Sequence, residues 1–446
     1  MHRLRSILDS LRSSLWFVPA LMIVSATALG LGLIEIDANL DRMRLQERWP
    51  RLFGAGAAGA RGVLETIAGS IITIAGVAFS ITIVALTLAS SQYTSRILRN
   101  FMRDRANQVV LGAFVGIFIY CLVVLRTIRG GDEGAFVPPL AVLVAVLLAF
   151  VGIACLIFFI HHIASSIQAE TIIKAAADET IDAVDRLFPE EMGEEADAGQ
   201  SPGAPADESR WQSIAALRTG FIQGVDGEAL LEAARQRRTF IRMERGVGEF
   251  IVEGAPLVGV AGAVGATDEQ LTACIAAAFT IGHQRTMVQD AGFGIRQIVD
   301  VALKALSPGI NDTTTAVTCV NYLSAILARL AARRIESRYR MDTAEHGGEL
   351  RVIARGPTFD GMLAEAFDQI RQNAQGNVAA LLALLTALEV IGDCTHDGQR
   401  RAALRGQADL IGDAARLSIP DPRDRHAAEA IVKRLHRNLA DARTPG

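Results

Sequence analysis

The sequence predicts an integral membrane α-helical domain of about four transmembrane helices, followed by a soluble α+β, mostly helical domain with a small antiparallel β-subdomain. Three observations carry that expectation. Four long stretches near the start contain no Asp, Glu, Lys or Arg. Charge is divided unevenly: residues 1–160 hold 14 Lys and Arg against 9 Asp and Glu, whereas residues 161–446 hold 30 against 39. The chain is 50% hydrophobic and only 21% charged, too apolar for an ordinary soluble protein and too polar for one made wholly of membrane helices.

A helix rises ~1.5 Å per residue, so ~20 apolar residues cross a hydrocarbon core of ~30 Å. The four stretches are Leu15–Leu33, Thr66–Leu88, Val109–Leu125 and Phe136–Ile160. Basic residues near helix ends set orientation. Arg3, Arg5 and Arg12 precede the first stretch, and Arg96, Arg99, Arg103 and Arg105 follow the second against Asp104 alone. The other two loops are mixed in charge. Both termini are therefore expected in the cytoplasm of a multi-pass protein of a bacterial inner membrane, with the lipid bilayer as its first partner. Ala26-Thr27-Ala28 resembles a signal-peptidase site, but the apolar run is longer than a usual signal peptide's.

The second stretch is unusual. Thr66, Ser70, Thr73, Val77, Ser80, Val84, Thr87 and Ser91 follow alternating spacings of four and three, which aligns six hydroxyls on one helical seam with Gly69 and Gly76 beside it. Two roles fit: close helix packing with the hydroxyls bonded to backbone, or a water-lined path. Packing is the commoner use, and the lack of intramembrane charge argues against a proton relay. His161 and His162, adjacent on a helix, point ~100° apart and make a poor shared metal site; they are expected to lie at the membrane interface.

The expected organisation is a four-helix transmembrane domain over 1–162, a membrane-proximal helix over 163–188, an acidic linker over 189–210, a β-rich subdomain over 211–265 and a mainly helical domain over 266–446. Pro189 ends the proximal helix, and the linker is rich in Ala, Gly and acidic residues. Short strands are expected at 220–224, 239–244, 249–252 and 257–260, with Asp226 capping a helix through Arg235. The glycine-rich run 259–265 has the wrong spacing for a dinucleotide loop. Asp268 begins a helix expected to reach Met287. Ile295, Ile298, Val299, Ala302, Leu303 and Leu306 give the next helix one apolar face, stopped by Ser307-Pro308-Gly309. Asn311 or Asp312 caps a helix from Thr313 to about Ala332. One more strand is expected at 350–354, then helices near 358–374, 377–392, 397–417 and 422–441.

The densest polar constellation holds Arg285, Gln289, Asp290, Arg296, Gln297, Asp300, Lys304, Asn311 and Asp312. It reads equally as a solvated helix flank with caps or as a polar pocket or subunit contact. No nucleophile, base and orienting acid are placed together, and Walker A, HExxH and GxSxG are missing from the sequence. The five cysteines form no paired spacing, so neither a disulfide framework nor a zinc knuckle is expected. No cofactor and no metal are expected, and nucleic acid is not a partner, since the acidic part lacks a basic run.

Several segments resemble a family of bacterial predicted membrane proteins known as domain of unknown function 2254. They are 11–19, 79–96, Arg103-Asp104-Arg105 with Gln108, Gly220-Phe221-Ile222, and Gly248-Glu249-Phe250-Ile251-Val252-Glu253-Gly254. To these are added Arg285-Thr286, Gln289-Asp290, Phe293-Gly294, Arg296-Gln297 and, most distinctive, Ser307-Pro308-Gly309-Ile310-Asn311-Asp312. The likeness spans nearly the whole chain apart from the acidic linker. Ser95 and Thr313 stand where the family has proline, which loosens two turns. The resemblance implies a shared topology and fold and brings no activity with it. The expected function is a channel-like or conduit homo-oligomer; the alternative is a membrane-anchored sensor or scaffold that binds a ligand or partner through its soluble domain. An enzyme is the weakest reading.

Overall fold

A computed structural model describes residues 16–39, 56–92, 104–129, 136–188, 211–262, 268–335, 337–342 and 349–440. The arginines at 3, 5, 12, 96, 99 and 103, the acidic 189–210 segment, residues 263–265 and the side chain of Ser91 lie outside them. The chain divides into two compact units, before and after Ile172/Ile173.

The first unit contains α1 (Phe17–Asn39), α2 (Ala57–Gln92), α3 (Arg105–Thr127) and α4 (Pro139–Ser166). All four are long and apolar enough to cross a membrane. Their directions alternate. Gly112 of α3 faces Pro19 and Met22 of α1, and Gly30 faces Tyr120 and Val123, so α1 and α3 run parallel. Arg61 at the start of α2 donates to the Ile128 carbonyl just past the end of α3 (2.8 Å), so α2 runs the other way. Asp37 near the end of α1 meets the start of α4, and Asp104 at the start of α3 meets His162 near the end of α4. The start of α1 and the end of α4 therefore share one end of the bundle.

α3 touches all three other helices, and its buried face explains why. Gly112 and Gly116, a G-x-x-x-G pair, let α1 approach until Met22 and Ala26 lie against the α3 backbone. Phe114, Tyr120 and Cys121 fill the space beside them. α2 contributes a stripe of small and branched residues: Ala60, Leu64, Ala68, Ile71, Ala75, Ala78 and Ala85.

The second unit has two sheets and two sets of helices. Strands β1 (Gln212–Ala215), β2 (Gly220–Val225), β3 (Thr239–Met243), β4 (Phe250–Ile251), β5 (Pro256–Gly262), β6 (Phe279–Gly282), β7 (Tyr339–Asp342) and β8 (Glu349–Ile353) form a five-stranded sheet, β1-β5-β3-β8-β7, and a three-stranded sheet, β4-β2-β6. Every pairing is antiparallel except β3 with β8. Helices α6 (Gly227–Arg237) and α7 (Glu269–Ala278) bury Leu230, Ala234, Leu271 and Ile275 against Ile222, Ile241, Val258 and Val260. Helix α5 (Ala169–Leu187) joins α8 (Ala291–Ala305), α9 (Thr313–Ala331), α10 (Phe359–Asn373), α11 (Val378–Asp393), α12 (Gly398–Ser418) and α13 (Pro422–Ala440). α9 packs on α8 and α11, α8 also on α10, and α11 on α12 and α13.

Several expectations are revised. Two strands, β6 and β7, lie outside both the expected β-rich subdomain and the strand expected at 350–354, while β8 is that strand; it joins the larger sheet by pairing in parallel with β3. The helix capped by Asp268 does not reach Met287. It ends at Ala278 because Phe279–Gly282 pairs with β2, so partners remote in sequence override local helical periodicity. The proximal helix does not begin at 163, since α4 continues to Ser166 and α5 starts at Ala169. α9 is a fifth helix that meets the length and composition of a span; it is the least apolar of the five and carries Arg329 in its last turn. Of the two caps offered for α9, Asp312 is used, while Asn311 takes a left-handed conformation at φ 49°.

Candidate functional site

The hydroxyl seam of α2 lies on the side of the helix away from its own bundle. Ser70 follows the buried Ala68 by two residues, about 200° around a helix. Thr66, Ser70, Thr73, Ser80 and Thr87 are all exposed, as are Val77 and Val84. Thr66, Thr73 and Thr87 each donate to the carbonyl four residues back, on Gly62, Gly69 and Ile83, at 2.7–2.9 Å. Such bonds satisfy the hydroxyl hydrogen without water and let the side chain face an apolar medium. Gly62, Gly69 and Gly76 recur every seven residues on the same outward side, with nothing within 4 Å of the position a Cβ would take. Among the described residues, nothing packs on these glycines.

The polar constellation of the second unit separates into three places. Arg285 binds Asp290 through two hydrogen bonds of 2.8 and 3.0 Å, and its guanidinium lies 5.4 Å from the Phe293 ring. Asp290 is buried and caps α8 by accepting from the Phe293 backbone N–H. Gly248, at φ 87°, presses its Cα against this pair; a Cβ there would overlap the Asp290 carboxylate. Gln289 reaches β2 and bonds both backbone groups of Val225, so the turn before α8 is fastened to the smaller sheet.

Midway along α8, Arg296 joins Asp300 at 2.8 Å and crosses to Gln369 and Glu365 of α10 at 2.9 and 3.5 Å. This is a brace between helices. Gln297 is buried, while Lys304 is exposed. At the far end, Asp312 accepts from the backbone N–H and hydroxyl of Thr315, which hold its carboxyl below the usual carboxylate range. Asn311 and Asp312 are exposed. Asp290 and Asp312 thus sit at opposite ends of a 15-residue helix, about 22 Å apart by its rise. The residues do not converge on one cavity.

Other polar positions emerge only in three dimensions. Asp37 is fully buried and accepts from the backbone N–H groups of Leu140 and Ala141 (3.2 and 2.9 Å), capping α4 from another helix. Beside it the Tyr120 hydroxyl donates to the Ala141 carbonyl (2.8 Å). His162, expected to be only interfacial, contacts Asp104, and Phe158 stacks on its ring. In the second unit Asp185 of α5 binds Arg329 through two bonds and Arg333 through another, and these arginines hold its carboxyl below its ordinary value. Spacing in sequence signals none of these hydrogen-bonded pairs, because the partners lie 21 to 148 residues apart. Among the described residues, no three His, Cys, Asp or Glu side chains gather as a metal site.

A family model described as "Predicted membrane protein (DUF2254)" matches residues 12–390. An uncharacterized protein of Mycobacterium tuberculosis strain H37Rv is 36% identical over 437 residues, covering 95% of this chain and 80% of the relative. An uncharacterized protein of Mycobacterium bovis matches with the same identity and coverage. No solved structure matches. The chain belongs to the DUF2254 family of predicted membrane proteins.

Proposed function

We propose that this is a four-span protein of a bacterial inner membrane, forming a homo-oligomer in which α2 lines a conduit and the second unit lies in the cytoplasm. The observation that carries the reading is the outward hydroxyl and glycine face of α2, diametrically opposite its buried alanine stripe. A seven-residue recurrence of glycine and threonine suits close, left-handed packing against an identical helix. Hydroxyls already bonded to their own backbone tolerate lipid in a lone subunit and offer acceptor lone pairs to water in an assembly. The alternating helix directions favour an even number of spans, and the arginines around the start of α1 and the end of α2 favour that side as cytoplasmic. α9 is read as part of the cytoplasmic unit, since it is packed between α8 and α11.

Disulfide trapping tests the assembly. Thr73→Cys is expected to form cross-linked oligomers in native membranes, and Ala78→Cys, on the buried side, is not. Reconstitution into liposomes tests conduction: solute flux that Thr73→Leu reduces supports the conduit, and its absence at every voltage and tension overturns it. The second reading, an anchored sensor or scaffold, is favoured by exposed apolar side chains on and just after β4 of the smaller sheet, Phe250 and Val252. A 173–446 fragment tethered by unrelated helices would then retain full function.

A further inference from the structure

Helix α2 carries a single carboxylate, Glu65, and it stands on the outward half of the helix. Gly62 precedes it by three residues and Gly69 follows it by four, so the three share one side. Leu64 and Ala68 face the bundle and are buried, whereas Glu65 is exposed. Charge-free sequence begins at the next residue: Thr66–Leu88 spans ~33 Å at the helical rise, about the thickness of a hydrocarbon core. Glu65 therefore marks one edge of that core, at the end of the bundle where α2 begins. Arg61, one turn earlier, has the spacing of an ion-pair partner for it, but the Arg61 guanidinium turns instead to the Ile128 carbonyl of its own bundle (2.8 Å). Among the described residues Glu65 has no ion pair and no hydrogen bond. Asp37, a carboxylate at the same end, is by contrast buried and caps α4.

We propose that Glu65 makes the conduit cation-selective: copies of α2 set around one axis bring their Glu65 carboxylates together as a ring at the mouth away from the cytoplasm, and inorganic cations are what that ring admits. This rests on the conduit reading of α2. In a lone subunit the carboxylate can only reach for headgroup water. Around an axis the like charges repel, and a cation between them relieves the repulsion. The path behind the mouth has the same preference. Thr66, Thr73 and Thr87 give their hydroxyl hydrogens to their own backbone, so each presents only oxygen lone pairs outward. Such oxygens suit a partly dehydrated cation and repel an anion. The Arg61 charge, held at Ile128, stays on the side of its own bundle.

Reversal potentials of the full chain in planar bilayers, with potassium chloride asymmetric across the membrane, test it. The unaltered protein is expected to pass K+ over Cl− by about tenfold, the low end of the enrichment that a mouth of one charge gives. Glu65→Gln keeps the shape and removes the charge, and is expected to bring the ratio close to unity. Glu65→Lys is expected to reverse it. Cross-linking through Thr73→Cys in each background shows whether the variant still assembles. Should neither assemble, the unaltered protein supplies a second measurement: its preference is expected to weaken as salt rises from about 0.1 M to about 1 M, which shortens the screening length from ~10 to ~3 Å. A preference for Cl− or for neither ion overturns the proposal and leaves the conduit standing. So does a preference for K+ that the assembled variants leave unchanged or, without them, that high salt leaves unchanged. Cross-linked oligomers that pass neither ion overturn the conduit reading, and this proposal with it.

Discussion

Gly294 of α8 and Thr180 of α5 touch so closely that a Cβ on Gly294 would overlap the Thr180 side chain. The contact lies inside the second unit, where Thr180 is fully buried and its hydroxyl donates to the Ala176 carbonyl (2.5 Å). Gly294→Val is expected to force the helices apart at a cost of about 1–3 kcal/mol. Thermal unfolding of the detergent-solubilised protein measures it. Adding Thr180→Gly should recover much of the loss, and a double variant no better than the single one would show that the contact is not what fails.

Gly248 tests the knot of Arg285 and Asp290. Its φ of 87° disfavours any side chain, and the space a Cβ needs is taken by the Asp290 carboxylate. Gly248→Ala is expected to destabilise by about 1–3 kcal/mol and to loosen the turn before α8. A drop in unfolding temperature together with faster exchange at 284–290 checks both parts.

The Asp185 carboxyl is held below its ordinary value chiefly by its hydrogen bonds from Arg329, with Arg333 adding to them. A depressed carboxylate stabilises the fold at any pH above its unfolded value, and the contribution disappears as pH falls through the lower folded value. Wild type is thus expected to lose part of its stability on acidification below about pH 4. Asp185→Asn should be less stable near neutrality and flatter over that acid range. Denaturant unfolding across pH 3 to 7, about the span where carboxylates titrate, checks the sign.

Asp37 caps α4 through Leu140 and Ala141, so Asp37→Ala leaves buried backbone donors without that acceptor. The expected cost is about 1–3 kcal/mol, with Asp37→Asn milder because its carbonyl still accepts one bond. Resistance to unfolding in mild detergent measures both, and equal stability of all three chains would remove the cap from the account of the bundle.

The two faces of α2 should fail differently. Ala75→Leu enlarges a buried side chain and is expected to disrupt the bundle itself. Gly69→Leu adds bulk where the chain has open space and is expected to leave the monomer folded while abolishing cross-linking through Thr73→Cys. Light scattering of purified protein separates the outcomes.

Much of this architecture is legible in the sequence, and what is not has a common cause. The long uncharged stretches and the apolar face of α8 are local patterns, as are the caps at Asp226, Asp268 and Asp312, and the structure contains each of them. β6 defeats local reading because Phe279–Gly282 follows a helix without a break and becomes a strand only through β2. The polar constellation is dense in sequence because α8 is a short link between busy turns. The same helix spreads those residues from end to end, and its rise separates them. The outward placement of the hydroxyl seam follows from the alanine stripe two residues away, a pattern present in the sequence but meaningful only once α3 and α4 are known to cover it. The ties of Asp185 and Thr180 cross too much sequence for spacing to reveal.

The parallel pairing of β3 with β8 has a consequence for synthesis. Ile241 finds Val352 only after more than a hundred further residues have emerged, so the larger sheet cannot close until the ribosome has passed β8. By then all four apolar helices of the first unit have left the tunnel. Until β8 emerges, the nascent second unit therefore has one edge of β3 unpaired, the stage at which a chaperone or a stray strand would find it.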